Sequence, residues 1–173
     1  MKNQSYHQVI PAKAVWPYSV TTVVQAAMIA AIYVVLTFLA NAFGLANYAV
    51  QIRFSEALTI LPYFTPAAIP GLFIGCLLSN ILTGCAIPDI VFGSVATLIG
   101  AVLTYCLRKY KWLAPVPPIV SNMLIIPFVL LYAYGIRPLW FSFITVTAGE
   151  IISCGVLGMA LLLALEKYRS KIF

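Results

Sequence analysis

Residues 139–165 read LWFSFITVTAGEIISCGVLGMALLLAL. An α-helix needs about 20 apolar residues to cross the ~30 Å hydrocarbon core of a bilayer, so this run predicts a transmembrane helix. Its one charged residue is Glu150. A carboxylate at the centre of a spanning helix costs about 2.5–3.5 kcal/mol on insertion scales, and such residues usually face a polar interior and serve function. Glu150 therefore predicts a polar site inside a membrane protein.

The composition of the whole chain agrees with this reading. Of its 173 residues, 63% are hydrophobic and 8% are charged, and the mean hydropathy is +1.03, which is far from the balance of a soluble domain. The length allows about six spans with short loops. We therefore predict an all-α integral membrane protein with one membrane domain over residues 1–173. The net charge of +6 lies at the edges of apolar runs, which indicates membrane topology and not nucleic-acid binding.

The basic residues decide how many apolar runs cross the membrane. Residues 54–64 form a short run that, at ~1.5 Å per residue, covers about half of a 30 Å core. If this run crosses, eight of the ten basic residues lie on the cytoplasmic side and only Arg53 and Arg137 lie outside. Cytoplasmic loops are enriched in Lys and Arg, so six spans with both termini cytoplasmic are favoured. The predicted arm covers residues 1–19, and the predicted spans cover about residues 20–43, 54–64, 67–82, 90–107, 119–134 and 139–165.

In this topology, polar side chains gather near the outer face. The loops and helix ends there carry Tyr48, Gln51, Arg53, Glu56, Asn80 and Asp89. Each acidic residue also has a purely structural interpretation, which the sequence leaves open. Glu56 could form a local i,i+3 ion pair with Arg53, and Asp89 could cap the helix that begins beside it. Glu150 could pair with Arg53, with Arg137, or with a hydroxyl such as Thr145 or Thr147.

Small residues recur at helical spacing in the first span. Ala26 and Ala30, and likewise Ala27 and Ala31, form two small-xxx-small patterns. Such stripes let membrane helices approach closely, either within the bundle or against another membrane subunit. Enzyme signatures such as a Walker A sequence, GxSxG or HExxH do not occur in the sequence. We therefore expect no catalytic residues, no cofactor and no metal site, and a transporter of this kind would be passive, coupled to ions through its few charges, or dependent on a partner for energy.

Several sequence blocks carry a family resemblance. They are QIRFSEAL (residues 51–58), LPYFTPAAIPGL (61–72), GCLLSN (75–80), DIVFGS (89–94) and the pair Pro117-Pro118. Together they resemble the QueT family, the substrate-binding (S) components of energy-coupling factor (ECF) transporters for queuosine precursors. The resemblance implies a multi-pass protein of the bacterial cell membrane. It also implies a transmembrane scaffold T subunit and two ATPase subunits as partners. In related S components an AxxxA stripe on the first helix docks on the scaffold, and Ala26, Ala27, Ala30 and Ala31 match it.

The ligand that the resemblance implies is a deazaguanine base, or a relative such as queuine, bound near the outer face. A carboxylate can accept two hydrogen bonds from the N–H edge of such a base, and Glu150 and Glu56 are the candidates. A cationic aminomethyl group would need a second carboxylate, for which Asp89 is the candidate. The expected stacking residues are Tyr48, Phe54 and Trp140, and the expected readers of other ring atoms are Asn80 and Gln51. Alternatives are an S component for thiamine, riboflavin or biotin, and a membrane scaffold protein without transport function.

Overall fold

The structure, a computed structural model, describes residues 19–45 and 52–168, and every regular element in these ranges is helical. In chain order the elements are α1 (Val20–Ala42), a 3₁₀ helix (Phe54–Tyr63), α2 (Ala68–Leu82), α3 (Ile87–Cys106), a 3₁₀ turn (Lys111–Leu113), α4 (Val116–Tyr134), α5 (Leu139–Glu150), a π-helical segment (Ile151–Gly158) and α6 (Met159–Glu166). The prediction of an all-α fold is confirmed for this part of the chain.

Within the described residues, four helical stretches are long and apolar enough to cross a membrane. They are Val20–Ala42, Ile87–Cys106, Lys111–Tyr134 and Leu139–Glu166. α2 is a shorter apolar helix of 15 residues, which corresponds to ~22 Å at the α-helical rise of ~1.5 Å per residue. These lengths agree with a helical membrane protein.

The short run after residue 53 forms a 3₁₀ helix and not an α-helix. Its ten residues, Phe54–Tyr63, extend about 20 Å because a 3₁₀ helix rises ~2.0 Å per residue. It contacts α1, α2, α3, the π-helical segment and α6. The eight residues from Ser55 to Pro62 are all buried. The short run, whose crossing of the membrane was the least certain from the sequence, therefore forms the central element of the bundle.

Glycines set the distance between α1 and α2. A Cβ atom added at Gly71 would lie 2.7 Å from the backbone oxygen of Ala26, and one added at Gly75 would lie 2.8 Å from the Cβ atom of Tyr33. Only glycine permits this approach, which gives dispersion contacts that lipid cannot replace. The close packing directs the Tyr33 side chain, which is 1% exposed, into the interior beside the 3₁₀ helix.

The two alanine pairs of α1 differ in their surroundings. Ala30 is buried and Ala26 is half-buried, and both lie against the glycines of α2. Ala27 and Ala31 are exposed on the outer surface of the bundle. The first pair thus takes part in packing within the bundle, while the second remains open to a neighbouring molecule.

Candidate substrate-binding site

Two acidic side chains from distant parts of the sequence meet inside the bundle. Glu56 lies on the central 3₁₀ helix and Glu150 is the last residue of α5, and they are 2% and 8% exposed. One carboxylate oxygen of each, together with the Sγ atom of Cys154, form a group whose atoms all lie within 4.8 Å of one another. The helix packing therefore builds one acidic centre from residues that the sequence treats separately.

Neutral donors hold the acidic centre in place. The Tyr33 hydroxyl donates to Oε1 of Glu56 at 2.5 Å. Oε1 of Glu150 accepts from Nδ2 of Asn122 at 2.8 Å, and its Oε2 accepts from the Cys154 thiol at 3.1 Å. Oε2 of Glu56 is buried and has no hydrogen-bond partner among the described residues. Both oxygens of Glu150 thus accept hydrogen bonds, whereas one oxygen of Glu56 accepts none from the part of the chain that the structure describes.

The acidic centre borders a small internal cavity. Its walls are formed by Arg53, Glu56, Gly93, Thr97, Asn122, Ile126, Val146 and Glu150. The cavity volume is about 10 Å³, which is the space that one water molecule needs. A bicyclic base is much larger, so the surrounding helices or side chains must move apart before such a ligand can enter. The cavity has room for one water molecule and for no bicyclic ligand.

Arg53 connects the cavity to a second polar cluster. Its guanidinium lies 3.9 Å from Oδ2 of Asp89, and the Tyr134 hydroxyl donates to the same oxygen at 3.2 Å. Tyr134 also accepts from the backbone N–H of Ala86 at 3.0 Å. Burial lowers the pKa of the Arg53 guanidinium, but the Asp89 carboxylate and other nearby groups raise it by more, so the side chain stays charged.

The specific partners that the structural interpretations named for the three acids differ from those seen among the described residues. Arg53 forms its ion pair with Asp89 and not with Glu56. The N-cap of α3 is Ala86, so Asp89 lies within the first helical turn, where a carboxylate still interacts favourably with the helix dipole. The hydroxyls of Thr145 and Thr147 donate to backbone carbonyls of their own helix and not to Glu150.

The other predicted site residues do not share the surroundings of the acidic centre. Asn80 is buried, and its Nδ2 donates to the Asp89 carbonyl at 3.5 Å. Phe54 is half-buried and lines an apolar surface groove with residues of α1 and α6. Trp140 is 64% exposed and makes an edge-to-face contact with Phe141. Tyr48 and Gln51 lie outside the described residues. Neither Phe54 nor Trp140 lines the cavity beside the acidic centre.

Three residues of the site were not predicted from the sequence. Each donates a hydrogen bond to the carboxylate of one of the two glutamates; they are Tyr33, Asn122 and Cys154. Asn122 could have been recognised from the sequence, since it is an amide within an apolar run. Cys154 follows Glu150 by one helical turn, a spacing that places both side chains on one face. Tyr33 had no such signal, because tyrosine is common in membrane helices.

Cys154 also raises the question of a metal. Two carboxylates and one thiolate are ligand types that Zn²⁺ accepts, but a structural zinc site normally has four protein ligands. Among the described residues the group contains three. The Cys154 Sγ atom lies 3.1 Å from Glu150 Oε2 and 3.4 Å from the backbone carbonyl oxygen of Glu56, and its single proton can be donated to either acceptor. This geometry suits a neutral thiol that orients the Glu150 carboxylate.

Comparison with known proteins identifies the family. The family model described as QueT transporter matches residues 23–167. The chain belongs to the QueT family. The "Queuosine precursor transporter QueT" of Lactococcus lactis subsp. cremoris (strain MG1363) is 32% identical over 82 residues, which cover 47% of this chain and 46% of the relative. The alignment thus spans about half the length of that curated relative. No solved structure matches the chain.

Membership of the QueT family confirms the resemblance seen in the blocks after residue 50. It assigns the chain to a family of transporters, and with several apolar helices of spanning length the chain is a multi-pass membrane protein. The matched region includes every residue of the acidic centre, from Tyr33 on α1 to Cys154. The acidic centre is therefore part of the QueT fold and not of an added segment.

Proposed function

We propose that this QueT-family chain is the substrate-binding subunit of an ECF-type importer and captures a queuosine precursor at the outer face of the membrane. The observation that carries the proposal is the buried pair of Glu56 and Glu150 beside an internal cavity. Buried acids within membrane helices are costly and are kept where they bind something. The name of the Lactococcus relative supports a deazaguanine base or queuine as the ligand.

Glu150 is suited to read the N–H edge of a guanine-like base. Asn122 and Cys154 fix the orientation of its carboxylate, and a fixed carboxylate can accept two parallel hydrogen bonds from a ring N–H and an exocyclic amine. On opening of the cavity, the ligand donors would use the remaining lone pairs of the two carboxylate oxygens, so that Asn122 and Cys154 keep the carboxylate oriented. Ile126 and Val146 line the same space and offer apolar surface to the faces of the ring.

The proposed topology has six spans with both termini cytoplasmic. The charge distribution favours it, and the 3₁₀ helix supports it, because Phe54–Tyr63 reaches about 20 Å and is surrounded by other helices. This arrangement puts Arg53 and Arg137 on the outer side. The Arg53–Asp89 pair would then lie between the acidic centre and the outer surface, where ligand enters.

The proposed partners are a transmembrane scaffold T subunit and two ATPase subunits, which would hydrolyse the ATP. Exposure of Ala27 and Ala31 on α1 supports docking there. Ala26, Ala27 and Ala30 also line a surface groove with residues of α2 such as Phe73, which gives the outer surface of α1 a shape that a partner helix can enter. The loaded bundle would release its ligand inside after it reorients on this scaffold.

Purified protein tests the ligand directly. We expect a deazaguanine to co-purify with the protein or to bind in calorimetry. Thiamine, riboflavin and biotin, tested in the same way, should not bind. Mass spectrometry of the released small molecules identifies the compound. Recovery of a flavin or thiamine would instead assign the chain to another vitamin-like substrate. Absence of any ligand, with uptake unaffected by loss of the protein, would favour a scaffold role.

Asn122→Ala is expected to weaken binding of a deazaguanine by about tenfold. The substitution removes the 2.8 Å hydrogen bond to Oε1 of Glu150, and one hydrogen bond to a charged group contributes roughly 1.5–3 kcal/mol. Calorimetry on the purified variant measures the change. Ser121→Ala on the same helix is the control, since Ser121 is buried beside Asn122 but does not line the cavity. Equal affinities of the two variants would show that Asn122 does not position Glu150 for the ligand.

A further inference from the structure

We propose that the end of the bundle around the Lys111–Leu113 turn binds the headgroup of an anionic phospholipid such as phosphatidylglycerol. Four cations form this part of the surface, which is called the basic surface below: Arg108, Lys109, Lys111 and Lys167. The basic surface is separate from the acidic centre, and its occupancy does not depend on the substrate proposed above.

Chain direction and one ion pair bring the four cations to the same end of the bundle. α3 ends at Cys106 and α4 begins at Val116, so residues 107–115 form the turn between these two helices. Oε2 of Glu166, the last residue of α6, lies 3.0 Å from Nζ of Lys111. The end of α6 and the following residue, Lys167, therefore lie against this turn.

The charge of the basic surface is not compensated by acidic side chains of the protein. The chain has four acidic residues, and three of them, Glu56, Asp89 and Glu150, are buried in the bundle. The fourth, Glu166, pairs with Lys111. Four cations thus share one carboxylate at this end, which leaves an excess of positive charge that attracts anions.

Aromatic rings accompany the cations of the basic surface. Three cation–π contacts lie here, with distances from charged group to ring centroid of 4.2 Å for Arg108 and Tyr105, 5.5 Å for Lys111 and Trp112, and 6.0 Å for Lys167 and Tyr168. A ring face attracts a cation and leaves its remaining N–H donors available to another partner. Trp112 is 70% exposed, and tryptophan at the end of a spanning helix is typical of the headgroup level of a bilayer.

The apolar surroundings favour a lipid over a soluble anion or an acidic protein. Leu103, Leu113 and Val116 are exposed next to the cations, and they belong to stretches of spanning length and hydropathy. In a bilayer their exposed side chains meet acyl chains, so the neighbouring cations lie at the level of the phosphates. A phospholipid meets both conditions, because its phosphate faces the cations and its chains cover the apolar side chains.

The experiment titrates purified protein in detergent with phosphatidylglycerol and with phosphatidylcholine of the same acyl chains. Native mass spectrometry counts the bound lipids. We expect phosphatidylglycerol to bind at least about fivefold more tightly, which is the gain that one basic residue near an anionic headgroup gives. Equal affinities would overturn the proposal. Glycerol phosphate at the same concentration should not displace the lipid, and full displacement would assign the basic surface to soluble anions instead.

Arg108→Gln should lower the affinity for phosphatidylglycerol by about fivefold and leave the affinity for phosphatidylcholine unchanged. Arg108→Lys should bind as the wild type does, since the attraction depends on charge. Arg137→Gln is the matched control, because Arg137 is also exposed but lies between α4 and α5, at the other end of α4. Equal losses in the two glutamine variants, or none in Arg108→Gln, would overturn the proposal.

An acidic protein as the occupant would give a different result. Arg108→Gln would then bind phosphatidylglycerol as the wild type does but would lose association with a partner subunit in a pull-down from solubilised membranes. That result would also overturn the proposal. Because Arg108 is exposed, we expect its variants to fold, and thermal unfolding in detergent without added lipid verifies that they do.

Discussion

Replacement of Glu150 with glutamine is expected to lower the affinity for a deazaguanine by about 100-fold, which corresponds to about 2.7 kcal/mol. The carboxylate is the proposed acceptor of two charge-assisted hydrogen bonds, and such bonds are roughly twice as strong as neutral ones. Glutamine offers one acceptor and an NH₂ group that opposes the donors of the ligand. Calorimetry or thermal-shift titration of the purified variant measures the loss.

Glu166→Gln is the control for Glu150→Gln. Glu166 is also a helical glutamate, but it pairs with Lys111 at 3.0 Å with a side chain that is 37% exposed, and exposed ion pairs contribute little to stability. Its substitution should leave the affinity for ligand unchanged. If Glu150→Gln binds as the wild type does and differs only in thermal stability, Glu150 has a structural role and the scaffold alternative gains support.

Gly75→Ala is expected to destabilise the bundle by roughly 1–3 kcal/mol, the usual cost of extra volume in a packed interior. The new methyl group would lie 2.8 Å from the Cβ atom of Tyr33 and 3.1 Å from the Cα atom of Ala30. Backbone and near-backbone atoms cannot rotate away, so α1 must shift relative to α2. Because Tyr33 would move with α1, its hydrogen bond to Glu56 should weaken too. Thermal unfolding in detergent and ligand affinity should therefore both decrease.

Gly155→Ala adds the same methyl group at a position with room for it. The nearest atoms to its Cβ would be side-chain carbons of Ile151 and Ile119, at 3.7 and 3.9 Å, which are ordinary contacts. We expect this variant to be as stable as the wild type or slightly more stable, since glycine within a helix is unfavourable. Equal destabilisation of both variants would mean that the close approach of α1 and α2 does not limit the stability of the bundle.

The location of Glu150 could be predicted from the sequence because one charge in a long apolar run is an unmistakable signal. The same holds for the class of protein, since the hydrocarbon core sets the length of a spanning helix. Charge counting also favoured a crossing by the short run after residue 53. Its 3₁₀ geometry and central position could not be predicted, because they depend on how five other elements pack around Phe54–Tyr63.

The roles of individual acids in the site also depended on the tertiary structure. Sequence proximity favoured an Arg53–Glu56 pair, but Arg53 pairs with Asp89 in the first turn of α3 instead. The partners of the glutamates come from α1, α4 and the π-helical segment, and no local pattern relates these elements. Which oxygen stays free is a question of orientation within a few ångströms, and hydropathy carries no such information.

By itself the sequence determined that the chain is a helical membrane protein with a costly acid in its last long helix, because apolar length and charge placement follow from the bilayer as solvent. The tertiary structure decided that this acid lies beside Glu56, that Arg53 pairs with Asp89, and that one oxygen of Glu56 has no donor among the described residues. The physical reason is that hydrogen bonds and ion pairs act over about 3–4 Å. Only the packing of the helices brings residues from distant parts of the chain within that range.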